Sequence, residues 1–196
     1  MEDHNILFPI FLKPNSLQML IVGGGGIAYE KLDFLFRHSG GMLIKVVAET
    51  FNNNIVQLAN KYTEVQLIQK SFDKTDLLDI NLILIATNNN HKVNKEICAE
   101  AKKKGIFVNV ADTPELCDFY LSSVIKKGDL KIAISSNGKS PTLTKRIREM
   151  LEDVLPNNVN ELLQNLQEIR NSLKGDFEYK VKELNRITSV FKQKKK

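Results

Sequence analysis

The sequence predicts an α/β protein with a doubly wound parallel sheet, followed by a β-hairpin and a helical C-terminal domain. Between Leu17 and Val110, short apolar runs alternate with helical segments, which is the pattern of repeated β-α-β units. The run from Ile80 to Ala86 is apolar at nearly every position, as expected for a strand covered on both faces. Four consecutive glycines directly follow the first apolar run, at the place where such a sheet binds phosphate groups.

Apolar period and turn residues locate the individual elements. Five strands are expected at 17–22, 43–48, 65–68, 80–86 and 106–110, with helices at 28–38, 53–61 and 93–104. A hairpin with strands at 119–126 and 130–135 turns at Lys127-Gly128-Asp129, and its exposed edge would suit a second subunit. Three helices follow at 140–155, 158–173 and 177–191, with one apolar stripe formed by Leu162, Leu166, Ile169 and Leu173 that predicts core or dimer contacts.

Composition excludes several classes of protein. The 196 residues are 42% hydrophobic and 26% charged, which excludes collagen-like, mucin-like and wholly disordered chains. No run reaches the roughly 18 apolar residues of a membrane span, and the acidic start has no basic n-region, so we expect no membrane association and no secretory signal. Two cysteines, Cys98 and Cys117, are too few for a disulfide framework and lack metal-ligand spacing, which predicts a cytoplasmic protein.

The charge balance favours an anionic partner. The net charge is +5, from 28 basic and 23 acidic side chains, and nucleic acid, lipid or a polycarboxylate would all fit it. No helix-turn-helix pattern or basic strand with interleaved aromatics is present, so we expect no nucleic-acid binding. The three histidines, His4, His38 and His91, have no ligand spacing, and no resident metal is expected.

The glycine cluster predicts a dinucleotide site of the Rossmann type. Read as G-x-G-x-x-A, the fingerprint falls on Gly23, Gly25 and Ala28. The first glycine permits the tight turn, the second admits the pyrophosphate, and the small third residue lets helix and strand pack closely. The phosphates would then meet unpaired N–H groups at the helix start. A purely structural turn is the alternative, but the strand–loop–helix order favours binding.

Two further loops at the same sheet edge supply candidate cofactor contacts. Glu49 ends the second strand, where a carboxylate binds ribose hydroxyls and repels a 2′-phosphate, which favours NAD over NADP. The alternative is a surface glutamate that opens the next helix. Thr87 and Asn88 end the fourth strand and are candidates to contact ribose or phosphate, with a helix cap as the alternative.

Asp112 is the candidate catalytic residue. It follows the fifth apolar strand directly, so we expect a partly desolvated carboxylate that exchanges protons with a substrate. The alternative is an aspartate that only stabilises a turn next to Pro114.

A polar loop between the hairpin and the next helix predicts an anion site. Its hydroxyls, amide, glycine and helix start form a cradle for carboxylates, with basic side chains nearby at Lys145, Arg146 and Arg148. Ser140 followed by Pro141 also has the pattern of a helix N-cap. The candidate residues for an anionic substrate are Ser135, Ser136, Asn137, Gly138, Lys139, Ser140 and Arg146.

These motifs together resemble the precorrin-2 dehydrogenases, the NAD-binding modules of siroheme synthases that also occur as separate proteins. The resemblance runs in order from about Phe8 to Pro156, through Gly23–Ala28 with Lys31, Ala86-Thr87-Asn88, Asn109–Pro114 and Ser135–Pro141. It implies a homodimer with an NAD-binding Rossmann domain at 1–112, a dimerisation and substrate-loop region at 113–146, and a helical domain at 147–196. The implied reaction is the NAD-dependent oxidation of precorrin-2 to sirohydrochlorin, and some members also insert Fe²⁺.

The resemblance also assigns roles to individual residues. It implies that Asp112 is catalytic, that 135–141 is the substrate loop, and that Gly26, Ile27, Glu49 and Thr50 contact the cofactor. The chain departs from the family pattern in having Thr113 for a common acidic residue, Asn137 for a frequent glycine and Ser122 for a frequent proline. The rival hypothesis is a non-catalytic, NAD-binding regulatory module.

Overall fold

The computed structural model describes residues 5–87 and 90–189, and these form two compact units. The first unit reaches Leu121 and takes in Asn137–Lys139, and the second comprises Ser122–Ser136 and the residues from Ser140 onward. The functional division expected from the sequence, with boundaries at 112 and 146, stays a prediction.

The first unit contains a parallel sheet of five strands. In chain order these are β1 Gln18–Val22, β2 Leu43–Ala48, β3 Val65–Gln69, β4 Leu82–Ile85 and β5 Phe107–Val110. They lie in the order β3-β2-β1-β4-β5, and every neighbouring pair is parallel. The predicted doubly wound α/β sheet is therefore confirmed. The chain moves outward from β1 to β3 and then returns to start again at β4, so the topological switch point lies between β1 and β4.

Helices cover both faces of this sheet. In chain order they are α1 Gly26–His38, α2 Asn53–Lys61 and α3 His91–Lys103. Alternate strand residues belong to two separate buried clusters: Ile21 packs with Leu32 of α1, whereas Leu20 packs with Ile97 of α3. Because each strand is buried on both sides, its sequence is an almost unbroken apolar run.

The second unit holds the predicted hairpin and the C-terminal helices. Strands β6 Ser123–Lys127 and β7 Leu130–Ile134 pair antiparallel. Helices α4 Pro141–Val154, α5 Val159–Ser172 and α6 Phe177–Ile187 follow. The predicted start of the hairpin at Phe119 is wrong: the backbone carbonyl of Phe119 accepts a hydrogen bond from Asn109 Nδ2 at 2.8 Å, which holds this segment on the first unit.

Polar contacts connect the hairpin to the helices within the second unit. Lys127 Nζ donates to the backbone oxygens of Glu152 and Leu155, at 2.9 and 2.7 Å, and so caps the end of α4. The N–H of Asp129 donates to Asn160 Oδ1 at 3.0 Å. By contrast, α5 buries only Val159 and α6 buries no residue. The predicted apolar stripe of Leu162, Leu166, Ile169 and Leu173 is half-buried.

None of the described helices combines the length and the apolar composition that a membrane crossing needs.

Candidate functional site

The glycine loop makes the turn between β1 and α1. Gly23 has a φ of +127°, and a Cβ on it would lie 2.2 Å from the backbone oxygen of Ala86. A Cβ on Gly24 would lie 1.9 Å from the backbone oxygen of Thr50. The loop therefore passes against the ends of both neighbouring strands, and side chains are excluded at these two positions. Gly24 was not among the residues expected from the sequence, because the fingerprint leaves that position unspecified.

The start of α1 is open to an anion. Gly25 is its N-cap, and no side chain caps the helix or places an acidic group in the first turn. A Cβ on Gly26 would meet no atom within 4 Å, so the backbone there can be approached. The first N–H groups of a helix have no partner within it, which makes the amides of Gly26, Ile27 and Ala28 available for a pyrophosphate. The residues present thus fit the dinucleotide that the sequence predicted.

Glu49 and Thr50 border the glycine loop at the end of β2. The side chain of Glu49 is exposed, and its carboxylate accepts a hydrogen bond from the Ser71 hydroxyl at 2.5 Å. Helix α2 begins only at Asn53 and is capped by Asn52, so Glu49 does not open that helix. The alternative is thus right about the exposure of Glu49 and wrong about the helix start, and a contact between Glu49 and the adenosine ribose stays a prediction.

Thr87 follows β4 with its side chain engaged by α3. Its hydroxyl donates to Oδ1 of Asn94, a buried residue of that helix. The cap of α3 is Asn90, whose side chain accepts the N–H of Val93 at 3.2 Å. The main chain of Thr87 lies next to Gly23, so a cofactor contact would use its backbone. The other predicted contact in this loop, Asn88, lies outside the described residues.

Asp112 occupies a tight turn at the end of β5. It has a left-handed φ of +56°, and the N–H of Thr113 donates across the turn to the Val110 oxygen at 3.4 Å. Its side chain is exposed, which corrects the expectation of partial burial. The apolar strand ends before the turn, and the turn directs the next side chain outward. Within residues 5–87 and 90–189, the Asp112 carboxylate has no hydrogen-bond or ion-pair partner.

The segment after Asp112 is fixed along β5. The Asp118 carboxylate accepts the Val108 N–H at 3.0 Å and forms an ion pair with Lys102 at 2.8 Å, which raises the pKa of Lys102. Cys117 Sγ accepts the Val110 N–H at 3.2 Å. These bonds hold both ends of the Asp112 turn in place.

The two thiols have structural surroundings. Burial is the main cause that raises the pKa of Cys117 and of Cys98 above the ordinary range. Both are therefore protonated at neutral pH, when a nucleophile or metal ligand would have to be a thiolate. In the described part of the chain, no group of histidine, cysteine and acidic side chains has a metal-binding arrangement.

The predicted anion loop contains a helix cap in the second unit. The Ser140 hydroxyl accepts the N–H of Leu143 at 3.2 Å, with Pro141 at the first helical position of α4. Ser136 Oγ in turn accepts the N–H of Ser140 at 3.0 Å. The capping role considered for Ser140 is thus confirmed. Arg146 is exposed and forms an ion pair with Glu149 at 2.7 Å, so its charge is already partly compensated.

The residues between these two serines are assigned to the first unit. Asn137 and Gly138 both have left-handed backbones, with φ values of +54° and +75°. Asparagine adopts this conformation more readily than most residues, which explains how it replaces a frequent glycine. Gly138 and Lys139 are exposed, as is Ser135 in the second unit. Substrate binding by this loop stays a prediction.

The fold and the loops at the carboxyl ends of β1, β2 and β4 define a dinucleotide-binding protein of the Rossmann class. A family model described as "Putative NAD(P)-binding" matches residues 10–123. The chain belongs to this NAD(P)-binding family. A second model, described as "Sirohaem biosynthesis protein central", matches residues 127–153.

Relatives agree with the resemblance drawn from the motifs. The siroheme synthase of Ruthia magnifica is 37% identical over 175 residues, which cover 89% of this chain and 34% of that protein. The siroheme synthase of Psychrobacter arcticus is 36% identical over 168 residues, covering 86% of this chain and 30% of that protein. The chain thus spans about a third of the length of these relatives.

A solved structure is similar over nearly the whole chain. The structure described as "SirC, precorrin-2 dehydrogenase" has a TM-score of 0.73 and 29% sequence identity. It covers 93% of this chain, which in turn covers 89% of it. The predicted resemblance and the predicted fold are both confirmed.

Proposed function

We propose that this chain is an NAD-dependent dehydrogenase that oxidises precorrin-2 to sirohydrochlorin in siroheme biosynthesis. The observation that carries the proposal is the uncapped start of α1, with room at Gly26 for a pyrophosphate, in a chain similar over 93% of its length to a precorrin-2 dehydrogenase. Glu49 supports NAD as the cofactor, because its exposed carboxylate is carried by the residue between Ala48 and Thr50, which both pack against Gly24 of the glycine loop.

Asp112 is the proposed general base. It lies on the same sheet edge as the glycine loop, two strands away, which corresponds to about 10 Å. Held at the amides of Gly26, Ile27 and Ala28, NAD⁺ would supply the acceptor for a hydride, which would leave the substrate carbon with its bonding electrons. The second hydrogen leaves as a proton, which the Asp112 carboxylate accepts, so the macrocycle loses two electrons and two hydrogens. A positioned carboxylate contributes roughly 10²–10⁴-fold to the rate of such a step.

We further propose that the substrate's carboxylates bind the polar loop and its neighbours. The exposed Lys139 offers a cation, and Gly138 has open space around it. The hydroxyls and main chain of Ser135, Ser136 and Ser140, together with Asn137 and Arg146, complete the proposed set. A single exposed ion pair contributes little free energy, so Arg146 can exchange Glu149 for a substrate carboxylate.

We also propose that the chain acts as a cytoplasmic homodimer. Within the described residues, β6 and β7 pair only with each other, which leaves sheet edges for a second copy. Apolar side chains on α6 are exposed, including Phe177 at 72%. Both cysteines are free thiols, as is usual in a reducing compartment. Sedimentation equilibrium tests this assembly, and a monomer at micromolar concentration would contradict it.

The direct test is anaerobic incubation of the protein with precorrin-2 and NAD⁺. We expect NADH to form together with the sirohydrochlorin chromophore, in equal amounts. The Asp112→Asn variant is the control, because it keeps the size of the side chain and removes the charge. A protein that binds NAD⁺ but forms neither product would instead be the non-catalytic regulatory module.

A further inference from the structure

Glu49 is held by two side chains from the segment that ends β3. The ladder between β2 and β3 pairs Ala48 with Gln69. The side chain of Gln69 donates through Nε2 to the backbone oxygen of Glu49 at 3.1 Å. The hydroxyl of Ser71, two residues further on, donates to Oε1 of the Glu49 carboxylate at 2.5 Å. Both the main chain and the side chain of Glu49 are therefore oriented by neighbours.

The residues that follow Glu49 are held by the glycine loop. Gly24 packs against the backbone oxygen of Thr50, where a Cβ would lie at 1.9 Å, and the N–H of Asn52 donates to the Gly24 oxygen at 2.7 Å. The backbone on both sides of Glu49 is thus held, by Gln69 through the Glu49 oxygen and by Gly24 through Thr50 and Asn52. An ionised carboxylate accepts about four hydrogen bonds, so one bond from Ser71 leaves acceptor sites for a diol.

The basic side chain directly before Ser71 in the sequence is already neutralised. Lys70 lies between Gln69 and Ser71, and its Nζ contacts Asp73 at 2.7 Å and Asp76 at 2.9 Å. Both hydrogen bonds raise the pKa of Lys70, and the one to Asp73 is the main cause that holds the pKa of Asp73 well below its usual range. Its charge is therefore compensated, and a 2′-phosphate would meet Glu49 without a free cation from this segment.

We infer that Ser71 is a positioning residue that aligns the Glu49 carboxylate with the ribose hydroxyls of NAD⁺, and that this pair discriminates against NADP⁺. The inference rests on the proposed function, since it concerns the same cofactor site. Ser71 acts by holding a flexible glutamate in one orientation before the ligand arrives, which lowers the entropy lost on binding. Glu49 acts by accepting the hydroxyl protons and repelling a phosphate.

Titration calorimetry with NAD⁺ and with NADP⁺ tests this without any turnover. We expect Glu49→Ala to weaken NAD⁺ about 10- to 100-fold, because it removes a hydrogen bond to a charged group. Ser71→Ala should weaken NAD⁺ about 3- to 10-fold and leave NADP⁺ nearly unchanged. Ser71→Thr should restore wild-type affinity, because it returns the hydroxyl. Ser16→Ala is the matched control, since within the described residues the one hydrogen-bond partner of that exposed hydroxyl is the Lys13 oxygen.

The double variant Glu49→Ala/Ser71→Ala separates positioning from a general effect on the loop. We expect the second substitution to change NAD⁺ affinity by less than about twofold once Glu49 is gone, since additivity fails only for residues that act together. Equal losses in both backgrounds, or equal losses for both nucleotides, would overturn the role of Ser71. A wild-type protein that binds neither nucleotide would overturn the proposed function as well, whereas tight NAD⁺ binding unaffected by both substitutions would overturn this inference alone.

Discussion

Two adjacent glycine positions allow the structural role of the loop to be separated from its role in binding. An alanine Cβ at Gly24 would lie 1.9 Å from the Thr50 oxygen and 2.9 Å from the Ala48 Cβ. The Thr50 oxygen belongs to the backbone and cannot rotate away, so the glycine loop and the segment after β2 must move apart. Such overpacking costs about 1–3 kcal/mol of folding free energy. For a chain of this size, each kcal/mol lowers the Tm by roughly 2–4 °C.

Gly26→Ala has the opposite expected effect on stability. Its Cβ would meet nothing within 4 Å, and alanine is preferred over glycine in helices by about 0.5–1 kcal/mol. The Tm should therefore stay constant or rise slightly. The added methyl would occupy the space that the pyrophosphate needs, so NAD⁺ affinity should fall at least about tenfold, which corresponds to about 1.4 kcal/mol.

Thermal unfolding and calorimetric titration of NAD⁺ measure the two effects side by side. Gly40→Ala is the matched control, because that exposed glycine also has open space around it and lies outside the loop, so both quantities should be unchanged. Wild-type NAD⁺ affinity in Gly26→Ala, with an unchanged Tm, would refute the assignment of the pyrophosphate to the start of α1.

Three further outcomes follow from contacts elsewhere in the chain. Asp112→Asn should lower the turnover of precorrin-2 by roughly 10²–10⁴-fold with an unchanged Kd for NAD⁺, and normal turnover would remove Asp112 from the mechanism. Lys127→Met should lower the unfolding free energy of the second unit by about 1–3 kcal/mol in denaturant titrations, because the carbonyls of Glu152 and Leu155 lose their donor. The same substitution at the exposed Lys145 should change that free energy little. Burial raises the pKa of the Cys98 and Cys117 thiols in the folded protein, so the thiols of the unfolded chain ionise first as the pH rises. The unfolding free energy should therefore keep this contribution in full below about pH 8.5 and fall as the pH rises above that value. Equilibrium unfolding at several pH values, with a Cys98→Ala/Cys117→Ala control, tests this, and an identical loss in the control would contradict it.

The sheet was predictable because its strands are covered on both faces. Burial on both sides requires apolar side chains at successive positions, and that requirement is visible locally in the runs that contain Leu20 and Ile83. The start of the hairpin was not predictable in the same way. Phe119 has strand propensity, but a hydrogen bond from Asn109 on β5 holds it to the first unit, and no local pattern contains that partner.

The candidate site was predictable only as far as its residues act through the local backbone. The glycine turn and the cap at Ser140 depend on neighbours within a few positions, and both were found from spacing. Gly24 and Ser71 depend instead on the carbonyl of Thr50 and the carboxylate of Glu49, which lie 20 or more residues away in sequence. Those contacts follow from the order and register of β1, β2 and β3, which the sequence does not state.

The exposure of Asp112 also results from backbone contacts that no local sequence pattern contains. A left-handed residue directly after a buried strand costs about 1–2 kcal/mol for most side chains, and less for aspartate or asparagine. Cys117 and Asp118 hold the flanking strand through Val110 and Val108, so the turn is imposed by backbone contacts that do not involve the Asp112 carboxylate. The turn is therefore held without the Asp112 carboxylate, whose oxygens remain available for the proton that the proposed mechanism removes from the substrate.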